Sequence, residues 1–262
     1  MTFHTSGSVR FYKFSTLDNL GVPHAIFTRH GGVSPDPWYS LNLGGTVGDD
    51  PVRVAKNREI AFNSVGRSLD TIFDVWQVHH VDVVKADAPR LPDSPHQKSD
   101  AIITDRTNVT LFMRFADCVP IMLYDPVRQA IALIHAGWPG TVKRVVQAAV
   151  EAMKDAYHSR PSDLLAALGP SIAAHHYEIG PDVEILVRNA FGSDATELLP
   201  TTHGKVQFDL WAANRLVLEA CGVRQIEVAG LCTACNLENW YSHRGECGRT
   251  GRFGALIGLS GN

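Results

Sequence analysis

The chain has 262 residues, 45% of them hydrophobic and 19% charged, with 24 Lys and Arg against 27 Asp and Glu for a formal net charge of -3. These values fit a globular protein with a substantial core and argue against a basic nucleic-acid binder or a protein drawn to anionic membranes. Five cysteines are too few for a disulfide scaffold, no apolar run reaches bilayer length, and the first residues lack a basic segment followed by an apolar one, so a cytoplasmic protein without membrane or nucleic-acid partners is expected.

A single domain over residues 1–262 is expected, with residues 1–22 as an extension or edge strand. The first apolar strand, 24–28, runs into Arg29 and then Gly31-Gly32, where a freely turning backbone can hold a guanidinium at a pocket mouth. Its planar fork suits phosphate or a ribose-bearing substrate; the alternative is a solvated loop arginine. In Ser40-Leu41-Asn42-Leu43 the alternation buries both leucines and turns Asn42 the other way, to anchor either a loop or a substrate. Asp50 as N-cap and Pro51 at the first helical position open a helix to about Phe62. A strand over 75–85 carries Gln77-Val78-His79, and another covers 101–104. Apolar runs at 110–115 and 119–124 flank Ala116-Asp117-Cys118, and the turn 125–129 leads through the run 130–134 to His135. Val142, Val145, Val146, Ala149, Val150, Met153 and Tyr157 recur at three and four residues, the period of an amphipathic helix over 141–157. Further helices are expected at 182–191 and 209–221, and strands at 164–168, 226–229 and 252–259. Neighbouring strands around Cys118 argue against a purely parallel, doubly wound sheet. No Gly-x-Gly-x-x-Gly and no Walker-type loop supports dinucleotide or nucleoside triphosphate binding.

His79, Cys118 and His135 supply two imidazoles and one thiolate. Four-coordinate zinc accepts both donor types, and three protein ligands leave a position for water or substrate. A hairpin would bring Cys118 and His135 together, while His79 must arrive through the tertiary fold. Successive side chains of a strand point to opposite faces, so only one of His79 and His80 can meet Cys118 and His135. The same trio can hold copper, can act as a Cys118 thiolate nucleophile with His135 or His79 as base, or can be ordinary polar strand ends around a small buried cysteine. Asp117 either orients a metal ligand or accepts hydrogen bonds at the strand break. Arg244 is a second candidate for an anion, Trp138 packs beside the site, and His175-His176 reads as a solvated turn pair. Cys232, Cys235, His243 and Cys247 compete as a closed zinc knot, or are reduced thiols.

Seven segments occur in order: Phe27-Thr28-Arg29-His30-Gly31-Gly32-Val33-Ser34, Ser40-Leu41-Asn42-Leu43-Gly44, Gln77-Val78-His79, Ala116-Asp117-Cys118-Val119-Pro120, His135-Ala136-Gly137-Trp138, Gly169-Pro170-Ser171-Ile172 with Tyr177-Glu178-Ile179-Gly180, and Tyr241-Ser242-His243-Arg244 with Thr250-Gly251-Arg252. Together they resemble the laccase-domain family, also called polyphenol oxidase-like or peptidoglycan editing factor proteins. The resemblance implies an α+β fold of α/β/β/α type with mixed sheets and helices outside. It also implies zinc on His79, Cys118 and His135, phosphorolysis of adenosine, inosine or methylthioadenosine, and deamination of adenosine. The candidate set is then Cys118, His135 and Asp117 for catalysis and Arg29, Asn42 and Arg244 for substrate, the partners being a purine nucleoside and phosphate. The chain departs from the family at His80, where Gly is usual, at His175-His176, where Cys is frequent, and at Ser242-His243-Arg244-Gly245-Glu246, where Ser-Tyr-Arg-Arg-Asp is usual. A multicopper oxidase would need His-x-His pairs, which the chain lacks. A hydrolase editing peptidoglycan precursors would share the metal site and differ in substrate.

Overall fold

The computed structural model describes residues 2–261. Its first seven strands are β1 (Thr2–Ser6), β2 (Val9–Lys13), β3 (His24–Phe27), β4 (Ile72–Asp74), β5 (Val83–Lys85), β6 (Ala101–Thr104) and β7 (Thr110–Phe115). The remainder are β8 (Val119–Asp125), β9 (Ala130–Ala136), β10 (Leu165–Leu168), β11 (Thr201–Thr202), β12 (Lys205–Val206), β13 (Gln225–Val228) and β14 (Phe253–Gly258). The α-helices are α1 (Ser15–Asp18), α2 (Pro51–Ser64), α3 (Trp138–Val142), α4 (Val145–Tyr157), α5 (Pro181–Phe191), α6 (Ala195–Leu198) and α7 (Leu210–Ala220).

Two six-stranded sheets form, ordered β1-β2-β3-β14-β7-β4 and β13-β10-β8-β9-β6-β5, while β11 and β12 pair as a small hairpin. The pairs β4–β7, β5–β6 and β10–β13 are parallel and the rest antiparallel, so both sheets are mixed. The central strands β8, β9, β10 and β14 are buried throughout and largely apolar because both faces are covered. Leu111, Met113 and Phe115 of β7 point between the sheets, against Met122, Ile131 and Leu133. Phe112 faces the other way, onto Ala61 and Phe62 of α2. In β8, Ile121 and Leu123 turn from the inter-sheet layer toward Val146, Val150 and Met153 of α4 and Val217 of α7. The result is four layers, α/β/β/α.

The N-terminal residues form β1 and β2 on the edge of the first sheet. The caps behave as expected, with Asp50 accepting from Val52 N at 2.8 Å and Asp209 from Ala212 N at 2.9 Å. Three expectations need correction. Residues 75–85 are not one strand: β4 and β5 belong to different sheets, and the backbone N-H groups of Val78 and His80 donate to the Asp100 carboxylate instead of to a neighbouring strand. The helix expected over 141–157 is broken into α3 and α4 by Arg144, whose φ of 64° is left-handed. Finally, β9 extends to Ala136, so His135 lies within the strand and not beyond it.

Candidate active site

The chain changes sheets between β7 and β8, and Ala116-Asp117-Cys118 makes the crossing. Asp117 takes a φ of 83° there, a conformation unfavourable for a residue with a Cβ. Its side chain offsets that cost. Oδ1 accepts from Thr233 Oγ1 and Ser242 Oγ, both at 2.7 Å, and Oδ2 accepts from Arg244 N at 2.7 Å. Cys118 is thereby fixed at the start of β8, and the β8–β9 register, with Pro120 opposite His135, brings the imidazole to it.

His135 Nδ1 lies 2.7 Å from Asp100 Oδ1. That bond places the Nδ1 proton and leaves Nε2 for Cys118 or a metal, the arrangement by which a carboxylate orients a ligating histidine. The other oxygen of Asp100 accepts from Val78 N at 3.0 Å and His80 N at 2.8 Å, shaping the bend in which His79 adopts a φ of 58°. His79 Nε2 consequently comes to 3.9 Å from Cys118 Sγ, and the His79 and His135 rings are 4.8 Å apart. His80 turns away and pairs with Asp82 at 2.8 Å. Gly137 completes the corner, since a Cβ there would lie 2.8 Å from Cys118 Sγ.

The charges of Cys118, His135 and Asp100 act on one another. Burial alone would raise the Cys118 thiol, but the His135 charge and hydrogen bonds from His135 and His79 bring it down to about 6. Burial opposes the His135 cation, yet Cys118 and Asp100 push it up to about 9. For Asp100 burial is outweighed by His135 and by the two backbone donors, which hold its carboxyl low. All three potential ligand atoms of His79, Cys118 and His135 lie within 4.8 Å of one another.

The trio opens into a cavity of about 730 Å³ whose wall carries Arg58, Arg114, Arg244 and Arg252, with Trp76, Trp138 and Tyr177 as aromatic surface. Among the described residues lining it, Asp117 is the one acid. Arg114 is tied to Asp74 at 2.6 Å, Arg58 to Leu43 O at 3.1 Å, and Arg252 to Gly251 O at 2.8 Å. Burial lowers Arg58 to about 10. Arg244 reaches Glu178 O at 3.2 Å and lies over the Tyr177 ring at 5.3 Å.

Of the residues singled out from sequence, His79, Cys118, His135, Asp117 and Arg244 line this cavity. Arg29 and Asn42 do not. Arg29 is held by Glu246 at 3.0 Å, Leu237 O at 2.8 Å and Tyr39 O at 2.9 Å, above the Tyr241 ring. Asn42 is fully buried, donates to Asp49 at 2.9 Å, and accepts from Gly44 N at 3.0 Å and Arg252 N at 2.9 Å. It therefore places two cavity residues without facing the cavity. Asp117 bonds none of the trio through its side chain; the carboxylate that does is Asp100, for which the sequence offers only the weak signal of an acid before the short strand Ala101–Thr104. Arg58, Arg114 and Arg252 were also missed, and only Arg252 falls inside a recognised segment. The second cluster is rearranged: Cys232 and Cys235 meet His175 and His176, whereas His243 lines the main cavity and Cys247 is exposed on the surface.

Residues 23–260 match a family model described as multi-copper polyphenol oxidoreductase laccase. The chain is 41% identical over 241 residues to the purine nucleoside phosphorylase of Deinococcus radiodurans, covering 92% of this chain and 90% of that protein. It is 37% identical over 250 residues to the purine nucleoside phosphorylase YlmD of Bacillus subtilis, with coverage of 92% and 90%. The crystal structure of YlmD from Geobacillus stearothermophilus superposes with a TM-score of 0.91 at 31% identity, over 99% of each chain.

Proposed function

Because the chain belongs to the family described as multi-copper polyphenol oxidoreductase laccase, and its relatives are named purine nucleoside phosphorylases, we propose that it is a zinc-dependent purine nucleoside phosphorylase that also deaminates adenosine. One observation carries this reading: a soft His–Cys–His trio opens into a cavity walled by four arginines and three aromatic rings. His79, Cys118 and His135 fit a catalytic zinc, because they offer three donors and leave the cavity side open. Zinc bound there supplies Lewis acidity toward water or a substrate heteroatom. A chain with no His-x-His pair lacks the donors of a multicopper cluster, and metal analysis separates zinc from a single copper on the trio.

The chain's own residues then divide the work. Trp76 and Tyr177 offer aromatic faces for the purine. Arg58, Arg244 and Arg252 hold phosphate against C1′ of the ribose, with planar forks matched to its oxygens. In phosphorolysis an oxygen of hydrogen phosphate bonds to C1′ as the bond from C1′ to the base breaks; the electron pair leaves with the base, which takes up the proton that the phosphate loses. The arginines keep the incoming dianion and the developing charge in a cavity poor in competing acids. In deamination water adds at the purine carbon bearing the amine and ammonia departs. Asp117 acts as a positioning residue for Cys118 and Arg244, while Asp100 orients His135. The five unpaired cysteines fit a reducing compartment, the cytoplasm.

The coupled Cys118–His135 pair supports a second reading, a cysteine-dependent hydrolase acting on a substrate such as a peptidoglycan precursor. Chelation separates the two. Activity that falls on dialysis against a chelator and returns with zinc supports the metal enzyme; activity that survives metal removal but is lost on thiol alkylation supports the hydrolase. Arg252→Ala or Arg58→Ala tests the phosphate site. Loss of one charge-assisted contact, about 1.5–3 kcal/mol, raises the KM for phosphate roughly 10- to 100-fold while deamination is largely kept.

A further inference from the structure

Behind the cavity wall, the turn Ala174–His176 meets the loop Cys232-Thr233-Ala234-Cys235. His175 Nε2 lies 3.0 Å from Cys235 Sγ, and the His175 and His176 rings are 4.7 Å apart. The ligand atoms of His175, His176, Cys232 and Cys235 all fall within 4.8 Å of one another. Tetrahedral zinc, with bonds of about 2.0 Å to nitrogen and 2.3 Å to sulfur, sets ligand–ligand edges of about 3.3–3.8 Å. Small side-chain adjustments convert one arrangement into the other.

The backbone around the cluster is already fixed. Ala173 N donates to Cys232 Sγ at 3.4 Å, so a backbone amide holds the sulfur in place. Ser171 N donates to Leu231 O at 3.2 Å and Thr233 N to Ser171 O at 3.0 Å, so the two segments are laced together beside Cys232. We propose that His175, His176, Cys232 and Cys235 bind a second zinc ion in a closed, four-ligand site. With every position filled by protein, this ion is structural, in contrast to the open trio. Its binding releases one proton from each thiol.

The site has a bearing on the cavity. Tyr177 follows His176 directly, and Arg244 donates to the carbonyls of His176 and Glu178. Thr233, beside Cys232, bonds the Asp117 carboxylate that fixes the Cys118 corner. The ion therefore braces from behind the wall that carries Tyr177 and Arg244. This inference is independent of the nucleoside reading, since it concerns only metal content and thiol reactivity.

Metal analysis of the reduced, zinc-loaded full chain should give two zinc ions per chain. Cys235→Ala and His175→Ala should each leave one, and Cys118→Ala should also leave one, held by the other site. In the unaltered protein Cys235 should resist alkylation until a chelator is added, while the exposed Cys247 reacts at once, as read by peptide mapping. That comparison decides the matter even if a variant fails to fold. A single zinc insensitive to Cys235→Ala, alkylation of Cys235 as fast as Cys247 in the presence of zinc, or a Cys232–Cys235 disulfide in the purified protein would each overturn the proposal.

Discussion

Gly137 shows how tightly single residues control the trio. Its φ of -77° suits any residue, so its backbone is not the reason for glycine. The reason is space, since a Cβ would meet Cys118 Sγ at 2.8 Å and His79 Cδ2 at 3.0 Å. Gly137→Ala should keep the fold, read as an unchanged circular dichroism spectrum, and lose zinc from the trio; full retention of metal would refute the packing argument. Asp100→Asn should weaken zinc binding about 10- to 100-fold, because the group that orients His135 loses its charge. His80→Gly should keep metal, whereas His79→Ala should not. The candidate trio was legible in the sequence through the ordered segments that resemble the laccase-domain family, since its spacing alone left copper, a thiolate nucleophile and plain strand ends open. Asp100 was not, because its meaning depends on three atoms contributed by residues 78, 80 and 135.

At the scale of elements, the helices capped by Asp50 and Asp209 could be read because cap, proline and apolar period are local signals. Residues 75–85 resisted for the opposite reason: the acceptor for Val78 N and His80 N lies 22 and 20 residues away, and it outcompetes strand pairing. The junction of β2, α1 and β3 contains a titratable joint. His24 is buried, accepts from Phe14 N at 2.9 Å and pairs through Nδ1 with Val22 O at 2.8 Å, so it is held neutral. Burial, the largest influence, takes it from 6.5 down to about 4 despite the Val22 bond. The unfolded chain therefore binds the proton first as pH falls. The contribution of His24 is complete above pH 6.5 and drains away between 6.5 and about 4, by about 3 kcal/mol at most. Urea unfolding midpoints should fall across that window, and less steeply in His24→Gln; parallel slopes in both proteins would remove His24 as the cause.

At the scale of the whole molecule, four layers place the active corner where the chain leaves one sheet for the other. The mixed α/β/β/α arrangement followed from the family resemblance that the ordered segments carry. The cavity did not, because Arg58, Arg114 and Arg252 come from α2, β7 and the approach to β14 and converge only after both sheets have formed. That convergence of arginines on a His–Cys–His trio is the central claim, and product analysis tests it most directly. Zinc-loaded protein given inosine and inorganic phosphate should release hypoxanthine and ribose 1-phosphate in equal amounts, with no release when phosphate is omitted or in Cys118→Ala. Failure of the fully loaded protein to cleave any purine nucleoside, or release of free ribose without regard to phosphate, would contradict it.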